Sequence, residues 1–330
     1  MNAPIENDLG ADRAESSGDT AAPRVGPMMA WARAIGVFRG FLLVSLIPVS
    51  VGAATAYQNS ATLDLGWLAV TALAVWCFHA GANLLNDYYD HVSGTDDINE
   101  VRTPFSGGTR VIQDGLIGAG AIRNAGFAAY AVGCGVFVWL GYERGAAVWG
   151  LAFFGLLSGV FYTMRPIWLA YRGLGELMVG LNFGPALTAL GCYVQMGSVP
   201  VSAWVLGLTL GLWSAAIITI NEIPDVEADE KVGKRNLVVR FGEDAGVRLW
   251  LVLLWLTAAV LFAGVLLGFL PRRMVVALLI VFPIFFVTRD PETRTEFLED
   301  IVAACRNTVL AYIGYWVLLL AALFFASRGN

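Results

Sequence analysis

The feature that most constrains this chain is a succession of apolar runs, each comparable to the length of a bilayer-crossing helix. A spanning helix needs about 20 residues with little charge. Runs of this kind fall near residues 34–57, 65–88, 121–141, 145–163, 174–196, 202–222, 246–269, 274–289 and 302–326. The eighth is short and contains Pro283. The chain is 57% hydrophobic and 14% charged, with a mean hydropathy of +0.66, whereas soluble domains carry roughly 25% charged residues. Lipid leaves no water to satisfy an open sheet edge, and no ten-residue alternation marks a barrel. The expectation is an all-α, multi-pass membrane bundle of nine transmembrane helices, with residues 28–330 as one membrane domain. Residues 1–27 are rich in Ala, Gly, Asp, Glu and Ser and hold three prolines. They show no basic stretch followed by an apolar one, so they read as a disordered tail rather than a signal peptide.

Charge placement gives an orientation. With nine spans, 17 of the 21 basic residues fall on the side that holds the N-terminal tail, and Arg144, Arg272, Arg273 and Arg328 fall on the other. The excess of Lys and Arg marks the cytoplasmic side, which places the N-terminus there. The two long loops on that side, about 89–120 and 223–245, each begin with an acidic cluster at the end of a span. A net charge of −5 with scattered arginines offers nothing to a nucleic acid. Cys77, Cys134, Cys192 and Cys305 are far apart in sequence, which excludes a C-x-x-C zinc site and reads as inert buried thiols. His79 reads as a polar residue at a helix interface and His91 as a loop residue near the acidic stretch.

Chemistry concentrates in the two acidic clusters. The first, Asn83 to Asp97, packs four acidic and two amide side chains into fifteen residues. Read as a helix end, Asn83, Asn86, Asp87 and Asp90 fall at i, i+3, i+4 and i+7 and share one face. The second runs from Asn221 to Gly242. In it Asp225 and Asp229 are four apart on a helix that Pro224 can begin, and Lys231, Lys234 and Arg235 follow. Those two lysines are the only ones in the chain. Magnesium takes hard oxygen ligands, commonly one or two carboxylates plus substrate phosphates and water. Two facing aspartate helices can hold Mg²⁺ against a diphosphate, with Lys and Arg neutralising the remaining phosphate charge. A single acidic loop at a helix end is ordinarily a solvated cap. Two such clusters on one membrane face, each with an Asn and each followed by basic residues, are not. The glycines of Phe105-Ser-Gly-Gly-Thr-Arg110 fit an ordinary loop turn as well as a phosphate loop.

The pair Asn86-Asp-Tyr-Tyr-Asp90 and Asp225-x-x-x-Asp229, in a nine-span chain, resembles the two aspartate motifs of the UbiA superfamily of intramembrane prenyltransferases. The resemblance covers nearly everything after the tail. In many members the first motif has a further Asp where this chain has Gly94, and here Asp96 and Asp97 lie two and three residues beyond it. Asn86 to Asp96 is similar to the first motif of the 1,4-dihydroxy-2-naphthoate polyprenyltransferases of menaquinone biosynthesis. Tyr171–Glu176, Phe183–Pro185, Tyr193–Gln195 and Asp225–Arg240 resemble the same branch.

The resemblance implies a Mg²⁺-dependent enzyme that transfers a polyprenyl group from polyprenyl diphosphate to an aromatic acceptor, most similar to the dihydroxynaphthoate branch. It implies that Asp87, Asp90, Asp225 and Asp229, with Asn86, bind Mg²⁺ and through it the diphosphate, with Asn83 and Asn221 as further helpers. Arg39, Arg110, Lys231, Lys234 and Arg235 are the implied diphosphate contacts. Tyr88, Tyr89, Tyr162 and Tyr171 are candidates to stabilise an allylic cation. It implies a bacterial inner membrane, with the active-site loops cytoplasmic and membrane lipid as surroundings. Within the class, 4-hydroxybenzoate, a tetrapyrrole or another naphthoate is the alternative acceptor. Outside it, a transporter would place acids in mid-span and show broken helices in an internal repeat.

Overall fold

The computed structural model describes residues 25–36, 41–60, 62–99, 103, 108–281 and 293–326, and every regular element among them is helical. In chain order these are α1 (Pro27–Ala34), α2 (Phe41–Ser60), α3 (Leu65–Ser93), α4 (Thr95–Ile98), α5 (Ala119–Arg144), α6 (Ala147–Thr163) and α7 (Gly175–Leu181). Then come α8 (Leu187–Met196), α9 (Val201–Glu222), α10 (Val226–Lys231), α11 (Leu237–Phe241), α12 (Glu243–Leu266), α13 (Leu278–Val281) and α14 (Arg294–Ala326). Six stretches of described helix are long and apolar enough to cross a membrane: Leu65–Ser93, Ala119–Arg144, Gly175–Met196, Val201–Lys231, Glu243–Leu266 and Thr295–Phe325. Helix α6 is apolar but shorter. The first and eighth expected runs include residues 37–40 and 282–289, which lie outside the described residues, as does the expected tail up to residue 24. The all-helical expectation holds, and the described residues carry six clear spans rather than nine.

Local chemistry sets the ends of these helices. Asp64 caps α3 by accepting the Trp67 N–H at 3.0 Å. The helix then runs past the expected end at residue 88 to Ser93, because its polar final turns find partners inside the protein. It stops at Gly94, whose φ of +82° is the left-handed conformation that favours glycine. His91 therefore lies in the last turn of α3 and not in a loop. At the opposite end of the bundle, Arg144 donates to the Val194 and Gln195 carbonyls at 2.6 and 3.0 Å, satisfying the C-terminal turn of α8.

Helix α9 is the axis of the bundle. Within its apolar window 72% of residues are buried, against 33–39% for the other five spans. On one flank Trp213 packs against Tyr312 and Tyr315 of α14, and the cluster continues to Trp250 and Leu254 of α12. On the other flank α9 meets the α7–α8 segment backbone to backbone: a Cβ on Gly184 would stand 2.4 Å from the Gly207 carbonyl oxygen. Lipid gives no hydrophobic drive for helix association, so close approach of small residues takes its place. Between α7 and α8 the chain makes a π turn, Asn182–Ala186, around Pro185, which has no N–H to continue the ladder. A second cluster, including Val49, Val75, Phe137, Leu140, Val148 and Leu190, joins α2, α3, α5, α6 and α8. The space left between the two clusters is the cavity described next.

The α2–α8 crossing gives a stability test. A Cβ on Gly52 would lie 2.1 Å from the Thr188 carbonyl oxygen and 2.8 Å from the Cys192 nitrogen. Gly52→Ala should destabilise the protein by about 1–3 kcal/mol through overpacking, seen as a lower melting temperature in detergent. Gly135→Ala, where nothing lies within 4 Å, should leave that temperature unchanged. Equal melting of the two variants would show that α2 and α8 do not touch there.

Candidate active site

The cavity has a volume of about 360 Å³, within the range of small-molecule sites. Its wall is contributed by α3, α5, α6, the α7–α8 segment and α9. Along α3 the lining extends from Val75 to Asp90, about 22 Å of helix at 1.5 Å per residue. One end is polar, with Asn83, Asn86, Asp87, Asp90, Asn221, Glu222, Asp225 and Lys234. The remainder is largely apolar, with Phe78, Phe137, Leu151, Met178, Phe183 and Ile217 among its lining.

Each carboxylate at the polar end is held by a donor from another part of the chain or from its own helix. Asn86 donates its amide to Asp90, one turn away on α3. Asp87 accepts the Thr109 N–H at 3.2 Å and the Thr109 hydroxyl, which draws the loop after α4 over the cavity. Asn99 donates to Asp225 at 2.7 Å, joining the two acidic clusters directly. Asp229 is fully enclosed: Lys234 reaches it at 3.1 Å and Asn236 at 3.0 Å. The sequence-derived set therefore divides. Asn86, Asp87, Asp90, Asp225 and Lys234 face one cavity, whereas Asp229 stands behind Lys234 and off the wall. Arg110 donates to the Asp96 carbonyl at 2.7 Å and approaches Asp114 at 3.9 Å, so it braces the loop. Lys231 and Arg235 are exposed and outside the lining. Arg39 lies outside the described residues. Of the four tyrosines, only Tyr162 lines the cavity. Tyr88 and Tyr89 pack edge to face on each other, and Tyr171 stacks on Trp168.

The displaced aspartates separate cleanly. Gly94 turns the chain so that α4 folds back under α3, and Asp96 is then 3% exposed, within the field of Asp90, Asp87 and Asp225. Gly108 packs on its carboxylate so closely that a Cβ there would stand 2.4 Å from it. Asp97 points outward and pairs with His91 at 3.9 Å. Burial first, and then Asp90, Asp87 and Asp225, push the Asp96 carboxyl up to about 8. Burial alone would lower the Lys234 ammonium. The carboxylates of Asp229, Asp90, Glu222 and Asp225 outweigh it and hold Lys234 well above its ordinary value. Lys234 is thus a permanent cation facing an excess of acids. Among the described residues no three His, Cys, Asp or Glu side chains stand close enough to hold a metal by themselves. Asp90 Oδ1 and Asn221 Oδ1 are buried and unpartnered, and an oxygen in that state calls for a cation or a donor. Sequence reading missed Thr109, Asn99, Asn236 and the glutamates Glu176 and Glu222. The only local signal was an Asn close after an aspartate motif, as at Asn99 and Asn236.

Comparison with known proteins follows the same lines. The family model of the UbiA prenyltransferase family matches residues 45–298. UbiA prenyltransferase domain-containing protein 1 of Rattus norvegicus is 31% identical over 214 residues, which is 64% of this chain and 61% of that protein. The Drosophila melanogaster homolog is 28% identical over 225 residues, covering 67% and 61%. The matched stretch thus spans about three fifths of these relatives. Among solved structures, a UbiA homolog from Archaeoglobus fulgidus bound to DMAPP and Mg²⁺ superimposes with a TM-score of 0.61 at 16% identity, covering 88% of this chain and 99% of that one. The UbiA homolog from Aeropyrum pernix K1 gives 0.55 at 17%, covering 86% and 97%. At such identities the structures establish the shared fold.

The Asp96 environment predicts a pH dependence. An acid whose pKa rises on folding contributes most below its unfolded value, and that contribution is lost as pH rises through the folded one. With divalent cations chelated, the melting temperature should therefore fall as pH is raised from about 4 to about 8, the interval between the ordinary and the raised value. Asp96→Asn should flatten that slope. An identical slope in the variant would take Asp96 out of the repelling cluster.

Proposed function

The chain belongs to the UbiA prenyltransferase family, whose members are transferases of prenyl groups, and from that premise we propose that it transfers a polyprenyl group from polyprenyl diphosphate to 1,4-dihydroxy-2-naphthoate, giving demethylmenaquinone. The observation that carries the reading is the division of one cavity into an acidic, lysine-bearing head and a long apolar sleeve. A prenyl diphosphate has the same division. The acceptor assignment rests on the first motif, Asn86-Asp-Tyr-Tyr-Asp-His-Val-Ser-Gly-Thr-Asp96, and on Tyr171–Glu176.

Mg²⁺ fits the head. Asp87, Asp90 and Asp225, with Asn86, would hold it, and the unpartnered Asp90 oxygen is an available ligand. Among the described residues no three acidic side chains form a cage, so an ion here would take much of its coordination from phosphate and water. When bound, the ion supplies charge neutralisation that makes the diphosphate a better leaving group. Lys234, held by Asp229, which Asn236 holds in turn, adds a fixed cation for the phosphate oxygens. Phe78, Phe183, Met178 and Ile217 keep water from the apolar sleeve. Tyr162 and the sleeve's aromatic faces stand where positive charge develops on the allylic carbon as the C–O bond breaks. The ring carbon of the acceptor then supplies the electron pair of the new C–C bond.

The proposal includes nine spans, with the head at the cytoplasmic face of a bacterial inner membrane. The 17-to-4 distribution of basic residues supports that orientation. A transporter is disfavoured, because the acids gather at one end of the spans and not at their centres.

Purified protein incubated with geranylgeranyl diphosphate, Mg²⁺ and dihydroxynaphthoate should give a prenylated naphthoquinol by mass spectrometry, and EDTA should abolish it. Hydroxybenzoate should give little product. Asp90→Ala and Asp225→Ala should each lose at least about 10²-fold in rate, on the scale of removing one transition-state charge contact, while melting cooperatively. Full turnover in either variant would end the metal-bridge reading. Product with hydroxybenzoate alone would end the acceptor assignment.

A further inference from the structure

The sleeve is not apolar throughout. One level of its wall carries polar side chains that nothing described so far uses. His79 of α3, Tyr130 of α5, Ser158 of α6 and Asn182, at the turn between α7 and α8, all line the cavity. His79 Nδ1 and the Tyr130 hydroxyl are buried and have no hydrogen-bond partner among the described residues. Tyr130 is only 4% exposed, and its hydroxyl lies against Gly159, the residue after Ser158. Asn182 donates to the Ser158 hydroxyl and to the Met178 carbonyl, both at 2.8 Å. Its Oδ1 carries two lone pairs and meets at most the Ser158 hydroxyl, at 3.1 Å, so one is left to offer. Packing holds the rings in place: His79 stands edge-on to Phe183 at 4.9 Å, and Tyr130 packs on Phe78 at 5.3 Å. Together these residues form a belt that presents an imidazole, a phenol and an amide oxygen to the space inside.

The position of the belt bears on what it holds. Ser158 lies four residues before Tyr162 on α6, about 6 Å along the helix, and His79 lies about 10 Å from Asn86 along α3. A hydrocarbon tail at this level would leave both unpartnered groups buried against methyl and methylene groups, at a cost and with no return. A ligand that carries ring oxygens satisfies them. Resting on the prenyl-transfer reading, we propose that the belt is the subsite for the aromatic acceptor and that it selects a fused two-ring acceptor with an oxygen on the edge away from the diphosphate. Such a ring system reaches from the carbon alkylated beside Tyr162 to the belt, a span that a single ring does not fill. Tyr130 donates to the distal oxygen, and His79 Nδ1 or Asn182 Oδ1 accepts the hydrogen that oxygen carries. The walls given by α2 and α9, with Val44 and Ile217, are left for the tail. The belt makes and breaks no bond. It orients the ring and reads one of its oxygens.

Steady-state kinetics of the full chain in detergent, with geranylgeranyl diphosphate, Mg²⁺ and dihydroxynaphthoate, test the assignment. Tyr130→Phe and His79→Phe should each raise the KM for the naphthoate by about 5- to 10-fold, the scale of one lost hydrogen bond, and leave the KM for geranylgeranyl diphosphate within about twofold. Next, 1-hydroxy-2-naphthoate and 4-hydroxy-2-naphthoate, each short of one ring hydroxyl, serve as competitive inhibitors. The wild-type protein should prefer the one that keeps the distal oxygen by about 5- to 10-fold, and Tyr130→Phe should lose that preference with the group that reads it. An unchanged naphthoate KM in both variants assigns the belt to bound water, and a raised KM for geranylgeranyl diphosphate in its place assigns it to the tail. Either result overturns the proposal, as does an analogue preference that persists in both variants. Should His79→Phe melt early, Tyr130→Phe, which removes a single oxygen, decides alone. If the wild-type protein alkylates no naphthoate, the parent reading fails and the belt assignment falls with it. Alkylation that proceeds but ignores both substitutions ends the belt assignment alone.

Discussion

The structure depends on the mutual repulsion of carboxylates gathered in a place with little water. Asp87, Asp90, Asp96, Asp225, Asp229, Glu176 and Glu222 all lie at one end of a helical bundle and all are largely enclosed or line its cavity. Like charges at such separations cannot stay together unless each is hydrogen-bonded, paired or protonated. The donors come mostly from the two loops: Thr109 and Asn99 from the first, Lys234, Asn236 and the Leu237 N–H from the second. The carboxylates are therefore what folds those loops over the cavity. Building the lid and building the ligand set are one operation, because the same oxygens do both.

That arrangement needs a rigid floor, which the spans supply. Gly94 returns α4 beneath α3 so that Asp96 joins the cluster, and Gly108 lets the loop backbone settle on its carboxylate. Backbone contact between α9 and the α7–α8 segment fixes the helices that carry Glu222 and Glu176. Bulkier side chains at Gly184 or Gly211 would part these helices. The cost would appear first at the polar end, where alignment matters most.

Much of the site was legible in the sequence because its core is local. Asn86, Asp87 and Asp90 share a helix face by the arithmetic of 3.6 residues per turn, and the structure places them on one wall. Asp225 joins them from a second motif that the sequence also displays. What the sequence hid depends on long-range pairing. Asn99 meets Asp225 across 126 residues, and Glu176 meets the Leu237 N–H across 61. No periodicity reports such contacts. Nor does it report that Arg110 reaches back to the Asp96 carbonyl. The same limit blurred Asp96 and Asp97, whose separation follows from one left-handed glycine. The apolar run ends at residue 88 while α3 continues to Ser93, because the polar residues of its last turns are ones the helix buries.

Lys234 helps one small region hold several acids at once. It faces Asp229, Asp90, Glu222 and Asp225 together, and it is a compact point charge rather than the planar fork that arginine would bring. Such a charge offsets part of the repulsion among these carboxylates. Glu176 answers the same crowding differently, by accepting the Leu237 N–H at 2.6 Å. The chain has only two lysines, and the one placed here sits where the acids of both motifs converge.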